Sequence, residues 1–255
     1  MFCILFLSLF TASAIAEEKD GSLPRLADVT AAQSFIDAAE VVVIGFFQSE
    51  DSDGYKEFVA SAAEVSPLPV ALCSEKEVWA TYSVTSDTIS VFRKADQHQE
   101  NLKLSDAKKV DSEGLTRFFR INELRYITEY NAVTAVGLFN SEVKTHLLLF
   151  VNRGNNDFTA LKTKLGALAP EYTGKFLFVL VNGALQSNAR SMGYFGLKSH
   201  DLPRVGIYDG DADRKWLMPP GKISTERVRE FCDSFLKGTL QEQEEDTKQD
   251  SKIEL

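Results

Sequence analysis

The residues best equipped for chemistry are few and widely spaced. Only three cysteines, Cys3, Cys73 and Cys232, occur in 255 residues. That is too few for a disulfide framework, and they lack the spacing of a Cys-only zinc site. The histidines, His98, His146 and His200, show no metal-ligand spacing. Glu50, Asp51 and Asp53 gather carboxylates, but not in the pattern of a calcium-binding EF-hand loop. No metal and no cofactor is expected. Lys and Arg number 28 against 37 Asp and Glu, a net charge of −9. Without a basic cluster nucleic acid is not an expected partner, because phosphate binding needs concentrated cations. At 44% hydrophobic and 25% charged residues the composition is globular, not collagenous, coiled-coil or largely disordered. The length suits two small domains.

Any chemistry must therefore come from how the elements are arranged, and one order of elements occurs twice. In the first copy a helical pattern over 30–40 precedes a continuous apolar strand, 41–47. Helix 54–65, strand 68–73, helix 75–82 and strand 88–93 follow, then a weak edge strand near 102–104 and a helix over 112–124. The second copy runs through strand 126–130, helix 132–140, strand 145–151, helix 157–168, strand 175–181 and helix 187–197. Strand 204–208, a turn at Asp209-Gly210-Asp211, strand 214–218 and helix 224–237 complete it, with Ser224 as a plausible N-cap. Strands that are apolar at every position suit a sheet covered on both faces. The expected class is α/β: two tandem units, at 24–124 and 125–238, each a mixed sheet flanked by helices.

The two ends indicate a compartment. Residues 1–16 hold an apolar run too short to span a bilayer, then Ala14-Ile15-Ala16, the small-x-small pattern of a signal-peptide cleavage site. No Lys or Arg precedes the run. Cleavage there leaves no membrane span in the mature chain. Residues 239–255 read as a polar tail; from position 241 on it carries six Asp or Glu against two Lys, too polar to bury a core. It ends in Lys252-Ile253-Glu254-Leu255, close to the Lys-Asp-Glu-Leu retrieval signal. Together the ends predict the lumen of the endoplasmic reticulum and a retrieval receptor as one partner.

The second copy carries a family resemblance. Segments 144–150, 174–179, 194–198 and 201–207 resemble the non-catalytic b′ domain of the protein disulfide isomerase family. The mature chain is similar to a short member of that family, built of b and b′ thioredoxin-like domains alone. The resemblance implies no catalysis, because a thioredoxin-type oxidoreductase needs Cys-x-x-Cys where a central strand turns into its helix. The corresponding turns, 48–54 and 152–157, hold no cysteine. Cys73 in an apolar strand, and Cys232 beside Val228, Phe231 and Phe235, read as buried thiols.

The resemblance also implies an apolar pocket that binds segments of unfolded or misfolded polypeptides. It would lie between the helix after the central strand and the helix before the proline loop. Phe158, Leu161 and Leu165 would form one wall and Ser191, Met192 and Phe195 the other. Pro203 would lie at the base, at the fold's cis-proline position; the first copy has Asp87 there. Plain core packing is the alternative for each. A second implied site is the loop carrying Asp211, Asp213, Arg214, Lys215 and Trp216, which in the family contacts a thiol-active disulfide isomerase. Here Arg214 and Lys215 stand where acidic character is expected, and Trp216 also reads as a half-buried strand residue. A low-affinity calcium-binding or scaffolding thioredoxin-fold protein is the alternative function.

Overall fold

The computed structural model describes residues 23–240. The predicted leader at 1–16 and most of the tail, with the retrieval-like Lys252, Ile253, Glu254 and Leu255, lie outside the described residues.

Apolar runs form the strands and capped amphipathic segments form the helices. The first unit holds α1 (Val29–Asp37), β1 (Val41–Phe46), α2 (Tyr55–Glu64), β2 (Val70–Cys73), α3 (Lys76–Thr81), β3 (Thr88–Arg93), β4 (His98–Lys103) and α4 (Ser112–Asn122). Its sheet has the order β2-β1-β3-β4. β1 runs parallel to β2 and antiparallel to β3, and β3 pairs antiparallel with β4. The second unit holds β5 (Thr128–Glu129), α5 (Thr134–Asn140), β6 (Thr145–Val151), α6 (Phe158–Leu168) and β7 (Leu177–Asn182). It continues with α7 (Ala189–Tyr194), β8 (Arg204–Asp209), β9 (Arg214–Leu217) and α8 (Thr225–Leu236). The order of this sheet is β5-β7-β6-β8-β9.

Alternation along a strand sends successive side chains to opposite faces, so each sheet has a core on both sides. In β6, Leu147, Leu149 and Val151 join α6 and α8 in one core. Leu148 and Phe150 face the other way, into a core shared with Leu138, Met192 and Phe195. Side-chain N-caps open α1, α4 and α8: Asp28, Asp111 and Ser224 accept from Ala31, Gly114 and Arg227 N–H at 2.7, 2.7 and 3.4 Å.

Three elements differ from their sequence expectation. The strand expected over 126–130 pairs only through Thr128–Glu129. The helix expected over 187–197 is a 3₁₀ turn, Gln186–Asn188, followed by the short α7. Gly196, at φ 65°, ends it in a left-handed conformation that costs glycine little. The edge strand near 102–104 extends over all of β4, held by six register pairs with β3.

The units meet through specific bonds. Tyr126 N–H donates to Glu40 Oε2 at 3.0 Å, and Gly174 N–H to the Ala95 carbonyl at 3.2 Å. Ala95 and Leu124 are buried in the same apolar cluster as Leu138 and Leu148. No described helix is long and apolar enough to cross a membrane.

Candidate functional site

Strand order decides where a groove can form in the second unit. The chain passes from β5 over β7 to β6, then back from β6 to β7. Parallel crossovers share one hand, so reversing direction puts α5 and α6 on opposite faces of the sheet. α7 lies on the α5 face, with Met192 and Phe195 packed beside Leu138 and Leu148. Between α5 and α7 the sheet floor is left partly uncovered, forming a cavity of about 510 Å³.

Leu138 and Phe139 of α5 form one wall of this cavity, and Ser191, Tyr194 and Phe195 at α7 form the other. The floor is His146 and Leu148 of β6 with Val179 and Val181 of β7. Phe195 is fixed from below by Phe150, with ring centroids 5.0 Å apart. Phe139 is 51% exposed at the mouth, and Val136 one turn earlier is 37% exposed. The two are apolar side chains of one helix left open to water beside the cavity. Lys144 Nζ donates to the Phe139 carbonyl at 2.9 Å and closes the end of α5 onto β6.

His146 supplies the one polar group of the floor. The residue is 4% exposed, and its Nε2 is buried without a hydrogen-bond partner. Burial drives its pKa from 6.5 down to about 4, against the pull of hydrogen bonding to the Leu138 backbone. The ring is neutral at pH 7 and lies tilted between Phe139 and Tyr208, at centroid distances of 5.8 and 6.1 Å. With its proton on Nδ1 it offers Nε2 as a hydrogen-bond acceptor.

The far rim belongs to the β8–β9 hairpin. Asp213 sits at φ 49°, a left-handed conformation that aspartate tolerates better than most residues. Its Oδ1 accepts from the Tyr194 and Tyr208 hydroxyls at 3.1 and 3.2 Å. Burial and the Asp213 carboxylate raise the Tyr208 pKa. Lys215 Nζ donates to the Tyr194 carbonyl at 2.6 Å and lies 4.3 Å over its ring.

The residues named from the sequence are therefore divided. Ser191 and Phe195 line the cavity. Met192 is 5% exposed and packs beneath it. Pro203 follows a cis peptide bond at the start of β8 and does not line the cavity. In this cavity α5 stands where the sequence pointed to α6. Leu161 and Leu165 are buried on the opposite sheet face, with Phe158 packed against the same core. The sheet stands between them and α7. Sequence reasoning missed Leu138, Phe139 and His146. The available signal was in 133–139, which is apolar on more sides than one buried stripe requires.

The loop site is also divided. Asp211, Asp213 and Arg214 are exposed, whereas Trp216 is 5% exposed and packs edge-on to Phe235 at 5.0 Å. Its indole Nε1 is buried without a partner. Trp216→Phe forfeits no hydrogen bond but leaves part of the buried indole's space unfilled, so a loss of about 1–2 kcal/mol in urea unfolding is expected; a variant as stable as the parent would show that the indole is not packed in this core.

Both described cysteines are free and buried. Burial raises the Cys73 thiol pKa and, with Asp233 beside it, pushes that of Cys232 up to about 12. In the first turn that lacks a cysteine, Gln48 N–H donates to Asp87 Oδ1 at 3.0 Å. Among the described residues no three His, Cys, Asp or Glu side chains converge to hold a metal ion.

This architecture has relatives. A family model described as a thioredoxin-like domain matches residues 47–234. The chain is 39% identical to endoplasmic reticulum resident protein 27 of Bos taurus, over 91% of this chain and 85% of the relative. Against the Homo sapiens protein of that name the identity is 34%, over 100% of this chain and 97% of the relative. With protein disulfide-isomerase of Gallus gallus it shares 31% identity over 84% of this chain, spanning 41% of that protein. The solved bb fragment of ERp72 has 16% identity and a TM-score of 0.44, over 86% of this chain and 98% of that one. The thioredoxin-like family match and the endoplasmic reticulum resident protein 27 relatives place the chain in the protein disulfide isomerase family, as a thioredoxin-like member related along its whole length to endoplasmic reticulum resident protein 27.

Proposed function

We propose that this protein is a redox-inactive, chaperone-like binder of apolar segments in unfolded polypeptides, with the α5–α7 cavity as its binding site. The observation that carries this reading is the exposed Phe139 beside an apolar cavity that nothing in the described chain fills. Binding draws on burial of apolar area at about 25 cal/mol per Å², less the cost of ordering a flexible peptide. That difference is small for short segments, so micromolar affinity and broad tolerance of sequence follow. Residence in the lumen of the endoplasmic reticulum is supported by the apolar leader, the retrieval-like terminus and relatives named as resident there. Buried, unpaired thiols support the absence of thiol catalysis. A disulfide isomerase partner would meet the exposed Asp211 and Arg214 of the hairpin, since Trp216 is buried.

The test is fluorescence polarisation of a labelled, unstructured, apolar-rich peptide titrated with the mature chain, with and without calcium. Saturable binding independent of calcium is expected. Phe139→Asp places a charge at the mouth, at a half-exposed position, and is expected to weaken binding at least about tenfold. Equal affinity of this variant and the parent protein would remove the cavity from consideration.

A further inference from the structure

The α5 wall is held from the other unit. Asp96, just beyond β3, has a fully buried side chain, and that of Arg93 is only 3% exposed. The pair is bidentate: Arg93 Nε and Nη2 donate to the two Asp96 oxygens at 3.1 and 2.9 Å. Arg93 Nη1 donates to Asn122 Oδ1 at 3.1 Å, which ties in the end of α4. One bond leaves this cluster for the second unit. Ser141 Oγ donates to Asp96 Oδ2 at 2.8 Å, and Ser141 is itself 2% exposed.

Ser141 is the residue that ends α5, its N–H bonded to the Gly137 carbonyl at 2.9 Å. α5 has seven residues, too few for a helix to persist by its own hydrogen bonds. Its orientation depends on what it packs against. One flank packs on α4 of the first unit, where a Cβ on Gly137 would lie 1.9 Å from the Ile121 carbonyl oxygen. The other flank is the cavity wall, and the Asp96–Ser141 bond fixes the end of the helix next to Phe139.

From this arrangement we infer that Asp96 is a positioning residue for the cavity: through Ser141 it sets the placement of α5, so the first unit controls the binding wall of the second. The functional half of this inference rests on the peptide-binding reading; the mechanical half does not. A buried carboxylate that already satisfies an arginine is a rigid anchor, because moving it would strand the arginine charge. The hydroxyl adds an attachment whose energy depends on where α5 sits.

The experiment compares the full chain with Ser141→Ala, Asp96→Asn, the double variant, and Val43→Ala as a control in the first-unit core away from α5. Hydrogen exchange is read at 134–140 and at 189–194, alongside the urea midpoint. Ser141→Ala is expected to speed exchange over 134–140 about tenfold while 189–194 is unchanged. Val43→Ala lowers the midpoint without that selectivity. Affinity for the labelled apolar peptide is expected to fall about threefold to tenfold in Ser141→Ala. The loss in the double variant should fall short of the sum of the two single losses, since Asp96 and Ser141 share one bond. Exchange over 134–140 that stays at the parent rate in Ser141→Ala, or merely follows the midpoint as in Val43→Ala, overturns the inference. Selective loosening in a protein that binds no peptide upholds the coupling and overturns the functional reading alone.

Discussion

Between pH 6.5 and pH 4 this protein is expected to lose about 3 kcal/mol of folding stability through His146 alone, and His146→Phe to lose none of that share. The sign follows from linkage. In the unfolded chain His146 titrates near 6.5, whereas burial holds it near 4 in the folded protein. Between those values the unfolded state carries the extra proton, so falling pH favours unfolding. The contribution is complete above pH 6.5, declines as the pH drops, and levels off below 4. A gap of that size corresponds to about 3 kcal/mol, at roughly 1.4 kcal/mol per unit. Carboxylates titrate at the lower end of the same window, so the decisive quantity is the difference between parent and variant. Urea midpoints of both proteins at pH 7, 6, 5 and 4 supply it. Parallel pH profiles would mean that His146 is not held neutral in the fold. Phenylalanine is the informative replacement because it keeps an aromatic ring between Phe139 and Tyr208 and removes the unpartnered Nε2.

How much of this was legible in the sequence depends on the range of each interaction. The apolar run at 147–151 falls within β6, the centre of the second sheet, because burial on both faces favours apolar side chains at successive positions. β4 reads His-Gln-Glu-Asn-Leu-Lys; its strand character comes from pairing with β3, so composition shows only the apolar end. α7 is shorter than its apolar pattern suggests because Gly193 and Gly196 weaken the helix. The cavity needed knowledge that no periodicity contains. Choosing α5 over α6 as its wall requires the strand order, since both helices have apolar stripes and only the direction of the crossover separates their faces. The Asp96–Ser141 bond joins residues 45 positions apart and leaves no local trace. His146 sits inside an apolar strand, where a lone histidine reads as a spacer; its significance is the emptiness on one side of the ring.

Gly137 gives the second large effect, and there helix propensity and packing point in opposite directions. Alanine is the better helix former by about 1 kcal/mol in a helix interior, so Gly137→Ala would be stabilising if α5 stood alone. A Cβ at that position would lie 1.9 Å from the carbonyl oxygen of Ile121. The obstacle is backbone near the end of α4, which cannot swing aside as a side chain can. Either α5 or α4 must move, and both are committed: α4 to the buried Asn122–Arg93 bond and α5 to Ser141 and Leu138. Overpacking of this kind costs about 1–3 kcal/mol, and the rigidity of the neighbour places this site at the upper end. The displacement would shift the Leu138–Phe139 wall, so peptide affinity should fall together with stability. Gly193 in α7 is the matched control: it lies in the opposite wall, and a Cβ there meets nothing within 4 Å. Gly193→Ala is expected to be neutral or to gain up to about 1 kcal/mol, with peptide binding kept. Thermal or urea unfolding of the two variants, with a peptide titration of each, separates the effects. If Gly137→Ala were as stable as Gly193→Ala, the close approach of α5 to α4 would not exist in solution, and the Asp96–Ser141 bond would be left as the first unit's hold on the wall of the cavity.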